Sequence, residues 1–134
     1  MYIFQRILLV ILFLIGSVTA LHAQQFLLQE GMQNYQQGNF EKSIDLLEQA
    51  IQRDSLQLDA YVLLGASYLK EEVPEVAQLK AEQGLQHFPN AGSLSWIRAE
   101  ALFQQQQFTT ALSIYSKLYE EHHNKQLPAA FTNK

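Results

Sequence analysis

Residues 58 to 91 read LDAYVLLGASYLK, then EEV, then PEVAQLKAEQGLQHFPNA. In the first piece Tyr61, Leu64, Tyr68 and Leu69 recur at three- and four-residue spacing, which places them on one face of a helix. Pro74 suits the first turn of a second helix, where its missing N–H costs nothing. Pro89-Asn90-Ala91-Gly92 then closes the unit as a loop. The stretch therefore predicts two antiparallel helices joined by a short turn, and no segment of the chain alternates strictly enough to predict a strand.

Moving outward by 34 residues in either direction recovers the same unit. Gly31, Gly65 and Ala99 share one column, and Ser43, Ala77 and Ala111 share another, all of them small. Ile51, Leu85 and Tyr119 are all large and apolar, whereas the column of Ile44, Gln78 and Leu112 breaks at its middle member. Phe40 and Phe108 match with Pro74 midway between them. The first unit, 24–57, carries Phe26, Leu27, Leu28, Met32 and Tyr35 before Gln36-Gln37-Gly38-Asn39, a helix end with glycine available for the left-handed cap. Its second helix carries Ile44, Leu47 and Ile51. The third unit, 92–125, runs through Leu94, Trp96, Ile97 and Phe103 and then from Phe108 through Ala111, Leu112, Tyr115, Leu118 and Tyr119. Its Gln104 to Gln107 tract falls between the two helices and reads as an extended turn without glycine. Three such pairs, 24–57, 58–91 and 92–125, predict an all-α fold, an α-solenoid in which each pair stacks on its neighbour to bury an apolar face it cannot bury alone. The small columns, Gly31, Gly65 and Ala99 with Ser43, Ala77 and Ala111, are expected to let the two helices of a pair approach closely.

These residues resemble the tetratricopeptide repeat family, whose pattern is W-x₂-L-G-x₂-Y, then A-x₃-F, then P. The second unit carries Tyr61-x₂-Leu64-Gly65-x₂-Tyr68, Ala77 and Pro89, with Ala81 where a large aromatic is usual. The first carries Gly31, Gly38, Phe40 and Ala50 and departs at Glu30 and Ser55; the third carries Ala99, Leu102, Phe108, Ala111 and Tyr115 and departs at Arg98 and His123. The resemblance implies a protein–protein interaction scaffold whose first helices line a concave groove. By register the groove holds Leu28, Met32 and Tyr35, then Val62, Ala66, Leu69 and Lys70, then Trp96, Glu100, Phe103 and Gln104. That lining suits a peptide or amphipathic helix, with Trp96 and Phe103 as anchors. A clamp for the carboxylate tail of chaperones, used by part of the family, is ruled out by Leu28, Met32 and Ser93 at its positions.

The amino end reads differently. Arg6, the apolar run Ile7 to Ile15, and the break at Gly16-Ser17 follow the plan of a secretory signal peptide. Cleavage follows Ala20 or, as we favour, Ala23, making 1–23 the signal and leaving Gln24 first. The run is too short and interrupted for a spanning helix, which takes roughly 20 apolar residues. With no cysteine anywhere, lipidation after the cut and disulfides are both excluded. An exported protein of the periplasm or the exterior, with no stable membrane anchor after cleavage, is the expectation. From residue 24 onward, 8 Lys or Arg stand against 13 Asp or Glu, and no basic stripe is present, so nucleic acid is not an expected partner.

Catalytic signatures are missing. His122 and His123 are adjacent, so on a helix they diverge by about 100° rather than sharing a face as metal-binding pairs do. Gly65-Ala66-Ser67 lacks the second glycine of a nucleophile elbow, and there is no phosphate loop. We therefore expect no enzyme, no metal and no cofactor. Beyond the third unit lies the tail 126–134, in which Leu127 and Phe131 could cover part of the last face. An apolar strip near Tyr115 and Tyr119 is expected to remain there, open to a second copy of the chain or to another protein. Self-association through that end or the groove is the alternative to partner binding.

Overall fold

The computed structural model describes residues 1–126, with side chains for 1–16 and 25–123. The described residues form six α-helices and no strand: α1 (Tyr2–Gln36), α2 (Phe40–Arg53), α3 (Leu58–Lys70), α4 (Pro74–His87), α5 (Gly92–Gln104) and α6 (Phe108–Gln126). The second helices of the pairs open at Phe40, Pro74 and Phe108, 34 residues apart, and α3 and α5 open with the same offset. Pro74 is the first helical residue of α4, as expected. Gly92, expected in the loop, is instead the first residue of α5.

The turn inside each pair is the same three times over. Gly38 stands at φ 78°, with its N–H on Tyr35 O at 3.0 Å and the Asn39 N–H on Asn34 O at 2.8 Å, the bond pattern of a Schellman cap. Glu72 (φ 59°) and Gln106 (φ 62°) occupy the same left-handed conformation one and two periods later, with equivalent bonds to Leu69 and Tyr68 and to Phe103 and Leu102. The Gln104–Gln107 tract is thus a turn, but it is no longer than the others.

Each helix packs on the next in sequence, and α3 also packs closely on both α1 and α5, whereas the backbones of α2, α4 and α6 do not approach one another in this way among the described residues. First helices closer together than second helices mean an array that curves with the first helices inside. Leu47, Ala60 and Leu64 form a buried cluster against which Leu28, Ile44, Ile51, Leu63 and Tyr68 pack. Leu94 and Leu102 are buried farther along, each such leucine contributing about 2 kcal/mol.

The small columns work at two kinds of joint. A Cβ on Gly31 would stand 2.8 Å from Leu47, inside its own pair. A Cβ on Gly65 would stand 2.6 Å from Ile97 Cγ2 on α5 and 3.7 Å from Ala77 O on α4, so this glycine admits the neighbouring pair as well as lying against its own second helix. Gly84, outside the small columns, is equally confined, with Leu94 at 2.8 Å and Tyr61 at 3.0 Å. With Ala77 and Ala81 buried beside it, α4 presents a smooth face on which α3 and α5 settle. Ala81 thus replaces the usual aromatic without leaving an exposed gap. Ser43 differs from its alanine equivalents in donating a buried 2.8 Å bond to Gly31 O, with the Ser67 hydroxyl 3.3 Å away.

Two departures from the pattern pair off. Gln78 donates to Glu82 at 3.0 Å and accepts from Gln105 at 2.9 Å, while Arg98 donates to the same Glu82 at 3.1 Å. The broken column at Gln78 and the charge at Arg98 are thus ends of one polar network joining α4 to α5.

Residues 1–16 are exposed, and among the described side chains of α1 Leu27 is the first that is buried. Among the described residues no helix is long and apolar enough to cross a membrane. Leu127, Phe131 and the side chains around the cleavage candidates Ala20 and Ala23 lie outside the described residues.

Candidate binding surface

The residues assigned to the groove fall into two groups. Leu28, Tyr35, Val62 and Leu69 are half-buried, and Leu28 also packs against the core cluster. Met32 and Lys70 are exposed, and Trp96 and Phe103, both 52% exposed, stand out as large rings offered to solvent. Lys70, Leu69 and Gln104 border a shallow recess with Glu72 and Pro74.

The other group forms the better-defined concavity. Trp96, Glu100 and Phe103, spaced along α5, join Tyr115 and Tyr119 of α6 around a hollow of about 450 Å³. Helical spacing explains the convergence, since residues three and four apart share a face. The rings hold one another in edge contact: Trp96 and Tyr115 at 5.0 Å and 62°, and, at the base of the α5–α6 turn, Phe103 and Phe108 at 5.2 Å and 67°. Tyr119 stacks on His123 at 5.8 Å. The Tyr115 hydroxyl donates to Glu100 Oε1 at 2.5 Å. Burial first, then that bond and the carboxylate's charge, push the Tyr115 hydroxyl well above the ordinary tyrosine range.

Sequence reasoning assigned Trp96 and Phe103 to the groove and Tyr115 and Tyr119 to the far end, whereas the structure makes them walls of one cavity. The 34-residue register held the clue. The equivalents of Tyr115 are Leu47 and Ala81, both fully buried by the pair that follows. Tyr115 and Tyr119 thus lie on the face that a further pair would cover, and Tyr119 is 70% exposed. Ala99 and Ala111 nevertheless stay buried.

A second hollow, about 600 Å³, lies between the α4–α5 loop and α6, with Arg98, Lys117 and Glu121 in its wall. Its cations already face acids, Arg98 on Glu82 and Lys117 on Glu121 at 3.9 Å. His87 packs on Tyr61 and Phe88. Among the described residues no three or more His, Asp or Glu side chains are grouped to hold a metal ion.

Residues 28–72 and 67–125 match a family model described as tetratricopeptide repeat. Among solved structures, the chain is similar to the first TPR domain of the human RPAP3 protein, determined by NMR. The TM-score is 0.70 at 18% identity, over 74% of this chain and 78% of that one, a likeness of fold. No curated protein matches the chain in sequence.

Proposed function

Because the chain belongs to the tetratricopeptide repeat family, whose members generally mediate protein–protein interaction, we propose that it is a non-catalytic scaffold of the cell envelope, exported behind residues 1–23, that binds a partner peptide or amphipathic helix in its concave groove. The observation that carries this reading is the exposure of Trp96 and Phe103 on the inner helix α5, beside Tyr115 and Tyr119. Aromatic rings held by their neighbours lose little further freedom on binding and bring large apolar area, which is why such residues dominate interfaces. Trp96→Ala should reduce cross-linking of envelope proteins to the chain at least tenfold, about 1.4 kcal/mol or more, while leaving the helical circular dichroism spectrum unchanged. Undiminished cross-linking would reject the groove.

Self-association is the second reading, favoured by Leu112 (66% exposed) and Tyr119 on α6. Under it, light scattering finds a mass that rises with concentration; a constant monomer mass rejects it.

A further inference from the structure

We infer that the cavity between α5 and α6 receives the guanidinium of an arginine carried by a partner polypeptide, seated on the aromatic rings against Glu100. This inference rests on the reading of the groove as a docking surface and names the chemistry that fits it.

The argument begins with what surrounds the carboxylate. Glu100 stands with Trp96, Phe103, Tyr115 and Tyr119, four rings whose negative faces attract cations and repel anions. Its Oε1 accepts the Tyr115 hydroxyl, and among the described residues its other oxygen has no protein donor. Among the described residues no cation is paired with it: Arg98 serves Glu82, Lys80 serves Glu48 at 2.6 Å, and Lys117 serves Glu121. Glu100 is therefore a half-buried acid in apolar company that no described cation pairs with, a setting that favours a cationic partner. Such a partner regains hydrogen bonds at the open oxygen and a stacking surface at the rings. Arginine does both at once, since its planar guanidinium stacks on an aromatic face while its edge donates to a carboxylate. The chain's net charge of −4 adds attraction for a basic partner and works against a second copy of itself.

Trp96 is the only tryptophan in the chain, so its fluorescence reads this cavity directly. The probe is a helical peptide with one arginine flanked by leucines four residues to either side, compared with twins carrying citrulline, lysine or leucine instead. Titrated into the full chain, the arginine peptide should bind about tenfold more tightly than the citrulline twin. Glu100→Gln should abolish that difference by weakening the arginine peptide to the level of its citrulline twin; Gln can still accept from Tyr115, so the local structure is retained. Equal binding of the arginine and citrulline peptides, or tighter binding of the leucine or lysine twin, overturns the arginine seat while leaving the groove as a docking surface. No response of Trp96 to any peptide overturns the seat as well, and the groove then stands or falls on the Trp96→Ala cross-linking result.

Discussion

At the scale of single residues, Tyr115 shows how one side chain can serve both packing and charge. Its ring meets Trp96 and its hydroxyl is held by Glu100, and the raised pKa follows from both. Tyr61 and Tyr68 are raised too, by burial and by the nearby Glu48. Tyrosine ionises near pH 10 in the unfolded chain, whereas these three keep their protons to higher pH when folded. Above about pH 10 the unfolded state thus binds fewer protons, and stability falls as pH rises. Thermal melts from about pH 9 to pH 11 should register that decline, and Tyr115→Phe should make it shallower. An unchanged slope in the variant would mean that Tyr115 is not held in its protonated form.

At the scale of elements, the repeated left-handed turn is the feature that matters. Glycine takes φ 78° at position 38 without strain, but Glu72 and Gln106 hold the same conformation with a Cβ, at roughly 1 kcal/mol each. Gln106→Gly should raise the unfolding free energy by about 0.5–1 kcal/mol in urea titration, and no gain would count against the left-handed conformation. The helices themselves were legible in the sequence because Gly38 and Pro74 punctuate them and apolar residues recur between. The shared turn geometry was not, since neither Glu72 nor Gln106 is a residue type that announces a left-handed turn. Gln78 and Arg98 looked like failures of the pattern for a related reason. Each is unfavourable alone, and only their common partner Glu82, brought beside them by stacking of α4 on α5, makes sense of them.

For the molecule as a whole, stability resides in the joints between pairs. Gly65 is the tightest of these, because Ile97 is β-branched and cannot swing its Cγ2 aside. Gly65→Ala gains about 1 kcal/mol of helix propensity but forces the joint apart, and we expect a net loss of about 1–3 kcal/mol in chemical denaturation. A stabilised variant would show that the second and third pairs sit more loosely than described. The meeting of groove and terminal face in one cavity was only half legible: the 34-residue register marks Tyr115 as a joint residue, but that its face meets Trp96 and Phe103 depends on how α6 packs on α5 within the third pair.

The outer side of the array is tied unevenly. Lys80 of α4 reaches Glu48 of α2, which also accepts from Tyr68 of α3, so the first two pairs are bound at their backs. One period later the corresponding positions hold Glu82 and Ile114, and Glu82 turns to Arg98 on α5 instead. The third pair is thus held through α5, by Arg98 and Gln105 on α4 and by Ile97 against Gly65, so a partner gripping the aromatic cavity between α5 and α6 pulls directly on that joint.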